Sequence, residues 1–471
     1  MGLTTIDTPP AARRQETAMA DVELVARYDG RVPRYTSYPT APHFSPAIGG
    51  ETYAKWLGAL SPAAPLSLYL HVPFCDRLCY YCGCNTGVVR LDSSLRAYAG
   101  LLEREIERVA GLIGRRPAVS HVHWGGGTPT ILPADRLTAI MARIRECFAL
   151  EPDAEIAIEL DPTSLPKDRL GALAEMGVTR VSLGVQDLEP AVQEAIGRRQ
   201  SYEETQDCAD AARGLGVGSL NLDLIYGLPL QTEESVARTA RRTLDLAADR
   251  VAVFGYAHVP WMKKHQALIP EETLPGPAAR FAQQRAIHNV LVEEGGYVAV
   301  GLDHYARPGD AMAAAAASRR LKRGFQGYTT DAAPALIGFG ASAIGSLPDG
   351  YAQNAPTAPA YAKLIEAGGL AVVRGVALSD DDRLRREVIE RLMCDLEVDL
   401  TAVAKAHAAD PAPLFACLDG LVRFEADGLA RRDGGRIQVS ERGRPFLRSA
   451  AALFDAYLTQ DADKPQHSRA V

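Results

Sequence analysis

From residue 66 onward, short apolar runs alternate with longer stretches in which apolar residues recur every third or fourth position. The runs are LSLYLHV (66–72), HVHWGG (121–126), EIAIELDP (155–162), RVSLGVQ (180–186), SLNLDLIYG (219–227) and RVAVFGYAHV (250–259). Their length and their β-branched and aromatic content predict strands, and the periodicity over 95–113, 137–148, 202–215 and 233–247 predicts helices. Repeated strand and helix units define an α/β fold with six parallel strands, and right-handed crossovers put the helices on the outside. The expected closure is a partial (β/α)6 TIM-like barrel, with chemistry at the C-terminal ends of the strands, where the loops gather.

The flanks differ in character. Residues 1 to about 30 are polar and rich in Pro and Ala, followed by an aromatic, Pro-containing segment, Arg34 to Pro39, that needs something to pack on. After about residue 376 come a charged helical stretch (DDDRLRREVIERLMCDLEV), two strand-like pieces (LARRDGG and RIQVSERG) and a last helix. The expected division is an N-terminal extension, 1–59, closing over the active site; a core barrel, 60–294; a barrel extension, 295–376, with substrate and cofactor contacts; and a small, mostly helical, winged domain, 377–471. Wings often bind DNA, but no basic recognition helix accompanies this one.

Lys plus Arg number 51 against 58 Asp plus Glu, a net charge of -7, which argues against a general nucleic-acid binder. The longest uncharged run, 332–348, is broken by Gly and Pro and is too short to span a bilayer. No apolar run of signal-peptide type opens the sequence, and Ile6 stands where a myristoylation signal needs a hydroxyl. The expectation is a cytoplasmic protein with no membrane or nucleic-acid partner. Without a coiled-coil pattern or an apolar stripe, a monomer is the default.

Of the eight cysteines, Cys75, Cys79, Cys82 and Cys84 crowd into ten residues directly after the first strand, while the others are scattered. Such clustering suggests metal ligation. The spacing C-x-x-x-C-x-x-C lets one loop wrap one centre, and thiolates suit zinc or iron–sulfur. Three ligands would leave one iron of a four-iron cluster open to a substrate, whereas a fourth ligand would close the site. Cys84 fits either arrangement, so both a catalytic cluster and a zinc-stabilised binding protein stay open on spacing alone.

The same spacing, with aromatic Tyr81 just before the third cysteine, resembles the signature of the radical S-adenosylmethionine enzymes. Within them, the chain is similar to the oxygen-independent coproporphyrinogen III oxidase (HemN) family of haem biosynthesis from about Val22 to the C-terminus. The likeness is carried by PRYTSYPTA (33–41), LYLHVPFCDRLCYYCGCN (68–85), HWGGGTPT (123–130), IELDP (158–162), GVQD (184–187), NLDLIYGLP (221–229), YAHVP (256–260), GLDHYARP (301–308) and FQGYTT (325–330). The haem-chaperone paralogues share the cysteine spacing but lack RYTSYPTA and the added C-x-C cysteine, both present here.

The resemblance implies one [4Fe-4S] cluster on Cys75, Cys79 and Cys82, with two S-adenosylmethionine molecules. Tyr69, Gly126, Glu159 and Ile344 would meet the one on the cluster, and Tyr81, Gly127, Thr128, Gln186, Arg198, Asp223 and Ala257 the second. Tyr69, His71, Cys84, Glu159, Phe325 and Gln326 would act in catalysis. The implied reaction converts two propionates of coproporphyrinogen III to vinyl groups, giving protoporphyrinogen IX, with a 5'-deoxyadenosyl radical as initiator and a low-potential, flavodoxin-type protein as electron donor. Taken singly these residues also fit structural roles: a glycine run is often only a turn, and Tyr69 and His71 alternate with core leucines. An apolar substrate with four carboxylates needs cationic anchors, and the candidates are Arg34, Arg77, Arg307, Lys322 and Arg323, with Tyr35 beside them.

Overall fold

The computed structural model describes residues 22–458 and Arg469. What the sequence implied about residues 1–21, Ile6 included, and about the far C-terminus lies outside the described residues. All six expected strands form: β1 (Leu66–Val72), β2 (Ala118–Gly126), β3 (Ala149–Leu160), β4 (Arg180–Gln186), β5 (Ser219–Tyr226) and β6 (Arg250–Gly255). They pair parallel, each with the next. The sheet then extends beyond both ends of this set. β7 (Val298–Val300) and β8 (His304–Ala306) add antiparallel pairs beyond β6, and β9 (Ala335–Phe339) pairs parallel with β1. β10 (Ile344–Leu347), β11 (Gly350–Asn354) and β12 (Val372–Ala377) follow antiparallel outside β9. The order is β12-β11-β10-β9-β1-β2-β3-β4-β5-β6-β8-β7, and no ladder joins the two outer strands among the described residues. The barrel is therefore partial.

Parallel strands covered by helices on both faces read as unbroken apolar runs. Here β1–β6 alternate, and the alternation sorts onto the two faces of the sheet. Leu68, Leu70, Val72, Val122, Trp124, Ile156, Ile158, Val181, Leu183, Leu220 and Leu222 belong to the main core with the outer helices. Ser67, His121, His123, Glu155, Glu159, Ser182, Asn221 and Asp223 face the hollow inside. One pleat thus supplies both the packing and the chemistry.

Helices Asp92–Ile113, Ala134–Cys147, Tyr202–Gly214 and Glu233–Asp245 match the predicted segments, the last two opened by capping boxes at Ser201 and Thr232. The helix Lys167–Met176 escaped the periodicity reading because its buried side is only Ala172, Leu173 and Met176.

The expected N-terminal extension divides in two. Leu24, Val25, Tyr28, Val32, Tyr35 and Tyr38 join the core formed by helix Asp380–Asp395, Phe424 and Phe446, whereas Tyr53 and Leu57 join the barrel core. Arg448 ties this strap down by donating to the carbonyls of Val32 and, at 2.9 Å, of Pro33. The strand-like pieces form a hairpin, Ala430–Asp433 with Arg436–Val439, which Glu397–Asp399 extends as a third strand.

Candidate active site

The loop after β1 brings Cys75, Cys79, Cys82 and Cys84 to one cavity of about 660 Å³ at the C-terminal ends of the strands. Gly126, Gly127 and Thr128 follow β2 there, with Glu159 from β3, Gln186 from β4, Asp223 from β5 and Tyr256 and Ala257 after β6. Each of the three spaced sulfurs meets a donor suited to a thiolate. Thr86 and Thr128 hydroxyls lie 3.3 and 3.6 Å from Cys75 Sγ, and Arg198 Nη1 lies 3.7 Å from Cys79 Sγ. Cys84 hydrogen-bonds Cys82 through its thiol and its backbone N–H, which together pull the Cys82 thiol down to about 7 against burial. The same thiol contact pushes Cys84 up. A cluster bound through three thiolates fits this donor set.

Glu159 accepts from His123 Nε2 at 3.2 Å and from Gly126 N–H at 3.2 Å. Burial opposes its ionisation, but the His123 contact and the Gly126 N–H outweigh that and hold the carboxyl below its usual value. Tyr69 stacks on His123 with centroids 5.8 Å apart and hydrogen-bonds His71 Nδ1 at 2.9 Å. His71 therefore meets the cavity through Gly126, and Tyr69 stands behind His123, which bonds the lining residue Glu159.

In the glycine run beside the cavity, the room that each Cβ would need is taken by the protein itself. A Cβ on Gly125 would lie 2.6 Å from Glu159, one on Gly126 2.7 Å from the His71 ring, and one on Gly127 2.4 Å from Phe74 O. Gly126 also has φ +112°, a conformation other residues rarely adopt.

Arg198 forms a two-pronged ion pair with Asp161, both contacts 3.0 Å, and donates to Gly184 O and Gln200 Oε1 as well. Its donors are thus occupied by protein, and it meets the cavity as a cationic wall beside Cys79. Thr128, expected against the second cofactor molecule, donates to Cys75 Sγ. Gln186 sits at φ +67° where β4 ends, strain of the kind found at functional sites. Asp223 accepts from Ser182 and Asn221 at 3.0 and 2.8 Å; burial and the Glu159 charge raise its carboxyl.

A second cavity, of about 600 Å³, shares Glu159, Ser182, Asp223 and Phe254 with the first. Phe325 and Gln326 reach it from the tip of the hairpin Lys322–Gly324 and Gly327–Thr329, and Tyr35 and Tyr38 line it from the strap. Ile344 begins β10 and packs with Phe44, Tyr351 and Phe325. One expectation fails on geometry. Arg307 lies at the opposite ends of the strands, donating to Ala248 O at 2.8 Å.

Sequence reasoning missed a clamp on the cysteine loop. Lys263 Nζ donates to Cys84 O at 2.8 Å, His265 Nε2 lies 2.7 Å from Cys82 O, and Gln266 Nε2 donates to Tyr81 O at 2.8 Å. It also missed His123 and Asp161, although both stand inside quoted motifs, HWGGGTPT and IELDP.

Comparison with known proteins agrees with this geometry. The Radical SAM superfamily model matches residues 69–243 and the HemN C-terminal domain model residues 378–446. Fold and cysteine loop thus define a radical S-adenosylmethionine protein, a class that carries a [4Fe-4S] cluster and S-adenosylmethionine. The chain is 52% identical to an oxygen-independent coproporphyrinogen III oxidase of Bradyrhizobium diazoefficiens, covering 95% of this chain and 99% of that protein. It is 41% identical to the Escherichia coli enzyme of the same name, covering 96% of this chain and 98% of that one. The solved structure of coproporphyrinogen III oxidase (HemN) from Escherichia coli, described as a radical SAM enzyme, superposes with a TM-score of 0.86 at 40% identity, covering 91% of this chain and all of that one. The chain belongs to the oxygen-independent coproporphyrinogen III oxidase family.

Proposed function

We propose that this chain converts two propionate side chains of coproporphyrinogen III to vinyl groups without oxygen, giving protoporphyrinogen IX for haem biosynthesis. The observation that carries the reading is the pair of joined cavities. One is lined by the cysteine loop, and the other is large and partly aromatic, with Glu159, Asp223 and Phe254 between them. Cys75, Cys79 and Cys82 would hold the cluster. One S-adenosylmethionine would lie by Gly126 and Glu159 and a second by Gln186, Asp223 and Ala257. When bound, these groups supply a 5'-deoxyadenosyl radical that abstracts a substrate hydrogen.

The chain's own work is positioning and shielding. Ionised Glu159, oriented by His123, suits a ribose hydroxyl pair or an ammonium group. Phe325 and Gln326 would orient the macrocycle opposite Glu159, while Tyr35, Tyr38 and the hairpin exclude water. Cys84, beside Cys82 and outside the three-residue ligand set, is available to act on bound substrate. A low-potential, flavodoxin-type donor would supply electrons, and the chain would act as a cytoplasmic monomer. No helix among the described residues is long and apolar enough to cross a membrane.

Anaerobic incubation of the cluster-loaded chain with coproporphyrinogen III, S-adenosylmethionine and reductant, followed by oxidation and pigment analysis, tests this. Protoporphyrin and 5'-deoxyadenosine are the expected products; unchanged coproporphyrin would refute the reading.

A further inference from the structure

The GLDHYARP segment (301–308) puts His304 at the start of β8, opposite Ala252 of β6, and His304 lines the second cavity together with Phe254. Its side chain is only 7% exposed. Phe254 and Tyr328 hold the ring edge to face, with centroids 5.7 and 5.2 Å away. Gly327, at φ +98°, leaves room along one edge of the ring: a Cβ there would lie 3.2 Å from Cε1 and 3.3 Å from Nε2. That edge therefore faces the hairpin whose tip carries Phe325 and Gln326 into the same cavity.

The other ring nitrogen is engaged: Nδ1 lies 2.8 Å from Asp303 Oδ1. Asp303 is itself fixed, since its carbonyl accepts from Val253 N–H at 2.7 Å and its Oδ1 stands 3.8 Å from Arg323 Nη1. Burial opposes ionisation of Asp303, but Arg323 and the His304 contact outweigh it and bring the carboxyl down to about 2. A charged carboxylate beside Nδ1 keeps a proton on that nitrogen, and the neutral ring then carries its lone pair on Nε2. Among the described residues Nε2 takes no hydrogen bond. A buried ring nitrogen without a partner is unfavourable, and on a cavity wall it marks a place for a ligand's donor.

We propose that His304 binds the macrocycle by accepting a hydrogen bond at Nε2 from a pyrrole N–H, with Asp303 as the residue that positions it. The inference rests on the decarboxylase reading. A porphyrinogen is apolar over its pyrrole framework but carries four N–H donors near its centre, and bringing these out of water calls for acceptors in the chamber. The carboxylates Asp331, Asp223 and Glu155 on the same walls already accept from Ser67, Ser182 and Arg180, whereas Nε2 of His304 is open. A lone pair repels a carboxylate, so this contact selects the N–H centre of the substrate and not its acidic rim. Placed between Phe254 and the Phe325 hairpin, it would set the height of the macrocycle in the chamber.

The test is anaerobic equilibrium dialysis of coproporphyrinogen III against the cluster-loaded full chain and its His304→Phe, His304→Gln and Asp303→Asn variants, the bound fraction being oxidised afterwards and read by porphyrin fluorescence. Iron content and thermal midpoint check that each variant is folded. His304→Phe keeps the ring shape without an acceptor; it should bind about tenfold more weakly and raise KM more than it lowers kcat, with S-adenosylmethionine binding unchanged. His304→Gln, whose amide oxygen can accept, should recover part of the affinity. Asp303→Asn turns an N–H towards Nδ1, moves the ring proton to Nε2 and should weaken binding as His304→Phe does. If Asp303→Asn is unstable, the two His304 variants carry the test. Folded Asp303→Asn that binds as well as the wild type makes Nε2 a donor and overturns the proposal. Folded His304→Phe with unchanged affinity overturns it too and leaves the decarboxylase reading standing. A wild-type chain that does not bind coproporphyrinogen III overturns both.

Discussion

His123 on β2 and Glu159 on β3 face each other across neighbouring strands, Nε2 to Oε1 at 3.2 Å, and this contact keeps a carboxylate charged at the rim of the cofactor cavity. Glu159→Gln removes the charge and keeps the shape. The expected result is a normal cluster with S-adenosylmethionine cleavage lowered at least about tenfold, the scale of one charge-assisted hydrogen bond. Iron and sulfide assays read the first quantity, and 5'-deoxyadenosine formation the second. Loss of the cluster would instead make Glu159 a structural support for the Gly126 turn.

The four cysteines should separate cleanly by substitution to serine. Cys75→Ser, Cys79→Ser and Cys82→Ser would each remove a proposed ligand and should abolish the brown iron–sulfur absorbance. Cys84→Ser keeps a hydroxyl and an N–H beside Cys82 and should retain iron while product formation falls. Equal iron loss in all four variants would make Cys84 a fourth ligand.

Gly126→Ala should be among the most damaging single-methyl additions. It forces a Cβ onto the His71 ring, which Asn85 O holds at 3.0 Å, in a backbone conformation that suits glycine. A stability loss of about 2–4 kcal/mol is expected from overpacking and backbone strain together. The thermal midpoint measures it.

Glu105 gives the fold a pH signature away from the chemistry. Fully buried, it accepts from Gly340 N–H, Asn354 and Tyr361, yet burial lifts its carboxyl to about 7. With the folded value above the unfolded one, the folded chain binds the extra proton. Stability therefore falls as pH rises from about 4.5 to about 7 and levels off above, by about 3 kcal/mol at 1.36 kcal/mol per pH unit. Unfolding curves of Glu105→Gln should lack this slope, whatever their absolute midpoint. The effect bears on the site because Gly340 packs against His71 O, which Tyr98 also holds at 2.8 Å.

The six central strands were legible because short runs rich in β-branched and aromatic residues recur between helical periods, and the cysteine spacing was legible because four cysteines fall within one loop. β9 and β10 were not: they share the uncharged run 332–348 and are short, with glycine at Gly338 and Gly345 where backbones crowd. Residues that act across long sequence distances left no local sign. Lys263, His265 and Gln266 bond main-chain carbonyls about 180 positions away, and any polar side chain could look the same in sequence. Arg307 misled for the converse reason. It stands inside the GLDHYARP motif, but its guanidinium serves the turn at Ala248.

The strap joins residues 415 positions apart where Arg448 meets Pro33, whereas each of β1 to β5 pairs with its immediate successor. Loop-closure entropy delays such distant contacts in folding. The reaction chamber thus acquires its roof after its floor and walls have set, which leaves an interval in which the inorganic centre can be installed through the gap before water is shut out.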